Sequence, residues 1–247
     1  QEGLDASIGG VTGSATASGG PIANLAQGAT SNAISVGINS STAVAGVNNG
    51  TVTMNLASNG TGTSGLATLN LAPQLINVTG TGYNAAAGSA APSPVVLANQ
   101  RVGGIGSQVL TIANTAAAGA FSEDLNASFS ANAGNAAGTG TISGRLAGTS
   151  NTGSGSMSVA VDTSVAGARS GTVTINYQTA GAVGGVSNGL GVADVGSQVI
   201  NVSGNVYQVA AGQIVTAPLD FGTVQVGQLI SQNLVIRNSA TGASGFV

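Results

Sequence analysis

Cysteine, histidine, tryptophan and lysine are all missing from this chain of 247 residues, and its four basic residues are arginines. The absence of cysteine excludes a disulfide framework and a thiolate metal site. Because histidine and lysine are missing as well, the usual general bases and activated nucleophiles are not available, and neither a serine triad nor a serine–lysine dyad can be built. We therefore expect a protein that is not an enzyme and that uses no cofactor.

Charged residues are also scarce. They make up 4% of the chain, with a formal net charge of -3, against roughly 25% in an average domain. Four scattered arginines form no basic patch, which argues against nucleic-acid binding. No run of about 18 apolar residues is present, so we expect no membrane span. Small uncharged residues must cover much of the surface, and the weak charge repulsion of such a surface favours association.

The seven acidic residues are scattered along the chain. Glu123 and Asp124 are neighbours, but on a strand they would point to opposite faces, so we expect solvated turn or edge residues. A structural calcium ion at an interface is the alternative interpretation, with Asp5, Glu2 or Glu123 and Asp124 as candidate ligands. Against calcium, no loop has the closely spaced acids of an Asp-x-Asp-x-Asp pattern.

Two further features have structural interpretations. The glycine-rich stretch from Gly181 to Gly191 resembles a phosphate loop only superficially, because no helix pattern follows it. We expect it to be a flexible connection between two strands. Tyr83 and Tyr207 occupy matching places in the two copies of a repeat, and we expect them to pack at a domain boundary rather than to stack on a ligand.

That repeat is the main feature of what the chain does contain. Residues 74–94 and 198–218 are identical at ten of twenty-one positions, at a constant offset of 124. Upstream, residues 50–53 match residues 171–174 at an offset of 121. A period of about 120–125 residues is too long for a solenoid unit and fits one domain per repeat.

Within each repeat, short runs of alternating apolar residues are separated by Gly, Asn, Ser and Thr, which is typical of strands and turns. The seven strands predicted in the central repeat are marked in order by Val95 and Leu97; Leu110 and Ile112; Leu125, Ala127 and Phe129; Ile142 and Leu146, which flank a weaker fourth strand; Met157, Val159 and Val161; Val173, Ile175 and Tyr177; and Ile200, Val202 and Val206. No stretch has a helical period with caps. We expect an all-β chain of tandem seven-stranded immunoglobulin-like β-sandwiches.

The repeat predicts three segments. Residues 92–213 form one complete β-sandwich, residues 1–91 carry strands three to seven of another, and residues 214–247 carry the first two strands of the next. The matched positions of the first segment are Leu4, Ala6 and Ile8 with Leu125, Ala127 and Phe129; Ile34, Val36 and Ile38 with Met157, Val159 and Val161; and Val52 and Met54 with Val173 and Ile175. We therefore expect one complete sandwich and one that is split between the ends of the chain.

A sandwich without two of its strands exposes core side chains and unpaired strand edges, so it needs a partner. The residues that we expect at the resulting assembly interface are Leu219, Phe221, Val224, Val226, Leu234 and Ile236 in the last segment, and Leu4, Ile8, Val52 and Met54 in the first. Three completions are open: the next repeat of a longer tandem polypeptide, strand donation by a separate copy, or closure of the last segment on the first segment of the same molecule. The first two give head-to-tail contacts, which build open filaments unless they close into a ring.

Three stretches carry a family resemblance: QVINVSGNVYQVAAG, the run from SPVVLANQRVGG to AFSEDLNASF, and PLDFGTVQVGQLISQNLVIRNSA. They resemble the repeats of bacterial choice-of-anchor D surface proteins, within the Hydin-like immunoglobulin-like domains. The resemblance covers nearly the whole chain and implies an extracellular or cell-surface location with no catalytic residues. We expect a structural subunit of an extracellular bacterial filament or sheath, the alternative being the stalk of a long cell-surface adhesin.

Overall fold

The computed structural model describes residues 1–39, 44–151, 157–243 and 245–246. Every regular element in these residues is a β-strand and none is a helix, which confirms the expected all-β class. No helix that could cross a membrane is found in the described part of the chain. The chain divides into two compact units.

The first unit comprises Gln1–Asn84 with Gly119–Ser122. Its strands are β1 (Gly3–Gly13), β2 (Ala15–Gly19), β3 (Ile22–Leu25), β4 (Ile34–Ile38), β5 (Gly46–Asn59), β6 (Leu69–Asn70) and β7 (Gln74–Gly82). One antiparallel sheet runs in the order β3-β1-β5, and β5 pairs further with β6 and with β7. The strands β2 and β4 form a separate antiparallel pair.

The second unit comprises Ala85–Ala118 with Glu123–Val247. Its strands are β8 (Gly88–Ala91), β9 (Val95–Val96), β10 (Gln100–Arg101), β11 (Ser107–Val109), β12 (Thr111–Asn114), β13 (Leu125–Gly134), β14 (Ala136–Arg145), β15 (Thr149–Ser150), β16 (Met157–Val161), β17 (Gly167–Thr179), β18 (Ala182–Val183), β19 (Val186–Ser187), β20 (Ala193–Tyr207), β21 (Gly212–Ile214) and β22 (Ile236–Asn238).

Its largest sheet has the order β10-β20-β17-β13-β14-β16-β11, and β9 also pairs with β20. The strand β14 changes partner along its length, because its first half pairs with β16 and its second half with β13. A smaller sheet has the order β15-β12-β8. The remaining strands form the two-stranded pairs β18-β19 and β21-β22.

The two units pair their matching strands in the same register. In the first unit β1 and β5 pair Ile8 with Met54, and a bulge follows before Gly10. In the second unit β13 and β17 pair Phe129 with Ile175, and a bulge follows at the matching place. A bulge is a specific local structure that disturbs the ladder. Its recurrence shows that the sequence repeat is also a structural repeat.

The core of the second unit follows the predicted alternation. In β17 the side chains of Val173, Ile175 and Tyr177 are buried, while Thr174 and Asn176 between them are only half-buried. This is the period of two expected for a strand with one face on a core. The core also receives buried side chains from β12, β13, β16 and β20. It is therefore enclosed by both the large sheet and the small one.

Several strands differ from the predicted ones. Strand β8 was not predicted, and it pairs with β12 so that it belongs to the second unit. The units accordingly divide at Asn84, earlier than the expected boundary at residue 91. Ile142 and Leu146 were predicted to flank the fourth strand, but Ile142 is buried within β14, and only Leu146 lies beyond its end and is exposed. The seven-stranded immunoglobulin-like arrangement stays a prediction.

Candidate assembly interface

Four apolar side chains from the start of the second unit close its core. Val95, Leu97, Leu110 and Ile112 are all buried. The segment that carries them pairs in parallel with β20 through β9 and β10, and antiparallel with β16 through β11. These residues correspond to the first two predicted strands of the repeat, and the strands of the first unit, β1 to β7, include no equivalent of them.

The first unit has an open face at the positions that this segment covers in the second unit. The open face consists of Ile34 and Val36 in β4 and Ile76 and Val78 in β7. Val36 is 36% exposed where its equivalent, Val159, is 1% exposed. Ile34 and Val78 are half-buried, although their equivalents are buried.

A second comparison shows that this exposure is specific to one side of β7. Ile76 is 40% exposed, whereas its equivalent, Ile200, is fully buried. The neighbouring Leu75 is exposed, but so is its equivalent, Val199. The open face is therefore the side of the sheet that is covered in the second unit.

Of the four predicted interface residues of the first unit, Val52 pairs with Ile76 of this face, and Met54 pairs with Gln74 in the same strand β7. Leu4, Ile8 and Met54 are half-buried, and Val52 is fully buried. Val52 therefore contributes to the folding of the first unit itself.

The C-terminal hairpin, residues 212–238, repeats the pairing of β8 with β12 at the two ends of residues 88–114. Gly212 pairs with Asn238 as Gly88 pairs with Asn114. The Asn238 Oδ1 accepts a hydrogen bond from the main-chain N–H of Ala211 at 2.9 Å, and the Asn114 Oδ1 accepts the matching bond at 3.1 Å. The hairpin thus already has the pairing of β8 with β12, whereas residues 219–233 form no strand equivalent to β9, β10 or β11.

Its apolar side chains are nevertheless exposed. Leu234 is 46% exposed and Ile236 is 68% exposed, whereas their equivalents Leu110 and Ile112 are fully buried. The other predicted interface residues of the hairpin are also exposed: Leu219, Phe221, Val224 and Val226. The positions of Leu219 and Phe221 match buried Val95 and Leu97, and those of Val224 and Val226 match half-buried residues.

Asn114 and Asn238 also differ in burial and in the hydrogen bonds of their side-chain nitrogens. In the second unit the Asn114 Nδ2 donates to the main-chain oxygens of Glu123 at 2.9 Å and Arg145 at 3.1 Å. These bonds attach the small sheet to the strands beside it. The Asn238 Oδ1 still accepts hydrogen bonds from the main-chain N–H groups of Ala211 and Ala240. Asn238 is nevertheless exposed, unlike Asn114. Its amide nitrogen is therefore accessible to a further acceptor.

Each matching tyrosine packs against a phenylalanine. Tyr83 and Phe121 lie in the first unit with ring centroids 5.8 Å apart, and Tyr207 and Phe246 lie in the second unit at 5.4 Å. The N–H of the residue after each tyrosine donates to the carbonyl of that phenylalanine, at 2.8 and 2.7 Å. The chain beyond the hairpin therefore continues the repeat as far as Phe246.

The acidic residues differ from the prediction at two positions. Glu123 and Asp124 are buried rather than solvated, so that prediction was wrong. The Asp124 carboxylate accepts hydrogen bonds from the main-chain N–H groups of Gly184 at 3.1 Å and Gly185 at 2.8 Å. Burial of a carboxylate requires such partners. The glycine-rich connection therefore carries the hairpin β18-β19 and is held by Asp124.

The other candidate calcium ligands are engaged in hydrogen bonds. Ser58 and Ser64 both donate to the Glu2 carboxylate, and these bonds hold the pKa of Glu2 below its usual value. Asp5 accepts from the main chain of Asn24 at 2.6 Å and from the Asn59 Nδ2 at 2.9 Å. Among the described residues, no group of three or more acidic side chains is placed to hold a metal ion.

A glutamine side chain connects the small sheet to the large one in the second unit. The Gln198 Oε1 accepts from the main-chain N–H of Ala90 at 2.9 Å, and the Gln198 Nε2 donates to the Ala90 oxygen at 2.9 Å. The Tyr177 hydroxyl also donates to the Gln198 Oε1, at 2.9 Å. The sequence contained no signal for this cluster, because its members are far apart in the chain.

This cluster predicts an alkaline weakening of the second unit. Burial raises the pKa of Tyr177 to about 12, from the ordinary value of 10.0 for tyrosine. The protonated hydroxyl therefore contributes stability that is complete below pH 10 and is lost as the pH rises through about 12. Denaturant titrations at increasing pH should show the free energy of unfolding falling in this window, and falling less in a Tyr177→Phe chain. An equal fall in both chains would contradict this role of Tyr177.

No protein-family model matches this chain, and no curated protein matches it significantly.

Proposed function

We propose that this chain is a structural unit of an extracellular bacterial filament or sheath, in which copies join head to tail by completing a split β-sandwich. The observation that supports this most is the matched exposure of two surfaces. The open face of the first unit and the C-terminal hairpin are both exposed at positions whose equivalents contact each other inside the second unit. The two surfaces are therefore complementary to each other.

The finer architecture belongs to the same proposal. The chain consists of tandem seven-stranded immunoglobulin-like sandwiches, of which residues 92–213 form the complete one, with β8 added to it by pairing with β12. The rest of residues 1–91 forms the sandwich that lacks its first two strands, and residues 214–247, with the start of β21, supply those strands to a neighbouring copy. The strand register shared by the two units supports this assignment.

Energetics favour the completion. Burial of each large apolar side chain is worth about 1.5–3 kcal/mol. Four hairpin side chains occupy positions that are buried in the complete unit: Leu219, Phe221, Leu234 and Ile236. Their combined burial of about 6–12 kcal/mol competes with the cost of association and of ordering side chains. The low charge of the chain adds little repulsion between copies.

The alternative is the stalk of a long cell-surface adhesin, in which the hairpin and the open face belong to successive repeats of one polypeptide. The resemblance to choice-of-anchor D repeats supports an extracellular or cell-surface location in both cases. In both cases the same surfaces meet, and what differs is whether the copies are joined covalently.

Two measurements on this chain and its source material test the proposal. Sedimentation velocity and electron microscopy of the purified 247-residue chain should show concentration-dependent linear oligomers. Native material, denatured without protease, should give the discrete mass of one copy if the copies are separate subunits, and a far larger mass if they are repeats of one long adhesin. A chain that stays monomeric at high concentration would contradict head-to-tail completion.

A further inference from the structure

The residue equivalent to Gln198 in the first unit is Gln74, at the start of β7. It pairs with Met54 as Gln198 pairs with Ile175, so the two glutamines have the same place in their sheets. Gln74 is exposed. No hydrogen bond of its side chain is found among the described residues, whereas Gln198 uses both amide atoms on Ala90.

The residue equivalent to Ala90 in the C-terminal hairpin is Ile214, at the end of β21. Ile214 pairs with Ile236 as Ala90 pairs with Ile112. From this correspondence we infer that Gln74 recognises the main chain of Ile214 in the hairpin of a second copy. The Gln74 Oε1 accepts from the Ile214 N–H, and the Gln74 Nε2 donates to the Ile214 oxygen. This inference rests on the proposed function and names a residue that fixes the register of the junction.

A glycine beside Ile214 supports the same docking. In the second unit a Cβ on Gly88 would lie 2.2 Å from the Tyr177 ring, so only glycine fits there. The equivalent hairpin residue is Gly212, and nothing lies within 4 Å of a Cβ built on it. The space beside Gly212 is therefore open, and no neighbouring atom in this chain requires glycine at this position. In the first unit of a second copy, strand β5 carries Leu56 at the place of Tyr177, and that side chain would use the room beside Gly212.

Main-chain recognition by one amide specifies register. A slip of the hairpin by one residue reverses the face of every side chain. It also places a different N–H and C=O beside the amide. An amide that uses both its atoms on a single residue is satisfied only when the donor and acceptor of that residue meet it together. Gln74 thus adds a directional requirement to an otherwise apolar contact.

The variant Gln74→Leu tests the inference, because leucine has a similar size but leaves the Ile214 N–H and oxygen without a partner. The concentration at which half of the chains are associated should rise about 10- to 100-fold. The thermal unfolding of the unassociated chain should not change. The matched control is Gln198→Leu, which removes the same bonds inside the second unit. It should lower thermal stability and leave association near that of the unaltered chain.

A second variant, Gln74→Glu, separates hydrogen bonding from packing. Its ionised carboxylate accepts from the Ile214 N–H but cannot donate to the Ile214 oxygen, so association should weaken at pH 7. Relative to the unaltered chain it should recover below about pH 4, where the carboxyl becomes protonated. If the unaltered chain associates and both Gln74 variants associate equally well, this inference is wrong and the proposed function stands. If the unaltered chain does not associate at all, both fall together.

Discussion

A chain carrying both Leu234→Asp and Ile236→Asp is expected to lose self-association. The equivalents of these residues, Leu110 and Ile112, are fully buried where the repeat is complete. Losing the burial of two large apolar side chains removes about 3–6 kcal/mol, which weakens association about 100- to 10,000-fold. Burying two unpaired carboxylates costs several kcal/mol more.

The control for this variant lies between the two residues. Val235→Asp introduces one carboxylate into the same segment, where the test variant introduces two, and Val235 is as exposed as Leu234 in the free hairpin. Its equivalent, Thr111, is exposed in the complete unit. Val235→Asp should therefore change the half-association concentration by only about twofold. Sedimentation equilibrium measures both effects. Equal weakening of association by both variants would show that the contact between copies does not use the side chains whose equivalents are buried in the second unit.

Leucines at matching positions of the repeat should respond differently to the same substitution. Leu110→Ala should lower the free energy of unfolding of the second unit by about 2–5 kcal/mol, because it leaves a cavity in a closed core. Leu234→Ala should leave that free energy within about 0.5 kcal/mol, because its side chain is exposed in the unassociated chain. It should instead weaken association about 10- to 100-fold.

Amide hydrogen exchange in β17 and β20, at concentrations below association, measures the stability of the second unit. Sedimentation measures association in parallel. Leu110→Ala should therefore change hydrogen exchange, and Leu234→Ala should change sedimentation. A loss of stability from Leu234→Ala as large as that from Leu110→Ala would mean that the hairpin is part of the folded core of its own chain.

The sequence predicted the elements whose signal is local. Alternation identified β16 and β17 because their buried residues recur every second position against polar neighbours. The offset of 124 related the hairpin to residues 88–114, and this relation holds down to the hydrogen bonds of Asn114 and Asn238. The strands and the relation between the two segments could both be predicted, because alternation and repetition are visible in the order of residues along the chain.

What the sequence did not predict depends on contacts between distant residues. Asp124 is buried because Gly184 and Gly185, 60 and 61 residues later, donate to it. Gln198 is separated by 108 residues from Ala90, whose main chain it binds. Strand β8, Gly-Ser-Ala-Ala, has little strand propensity of its own, and it forms by pairing with β12.

The most direct test of head-to-tail completion is a disulfide between copies of a chain that contains no natural cysteine. Val109 and Ser158 pair across β11 and β16, and their equivalents are Asn233 and Ser35. The Leu110 N–H donates to the Met157 oxygen at 2.9 Å, so Leu110 and Met157 form a hydrogen-bonded pair. The adjacent pair, Val109 and Ser158, is therefore a non-hydrogen-bonded pair, in which the side chains lie closer together. Such a pair suits a disulfide. Two cysteines at Ser35 and Asn233 should therefore be within bonding reach across the junction.

A chain with Ser35→Cys and Asn233→Cys, oxidised while assembled, should give a ladder of multimers on a non-reducing denaturing gel that collapses to one band on reduction. The control with Ser35→Cys and Ser231→Cys, two residues out of register, should give only the single chain. Multimers from the control rather than the first variant would contradict the proposed register. A single band from both, or a compact monomer from the first, would contradict the joining of separate copies.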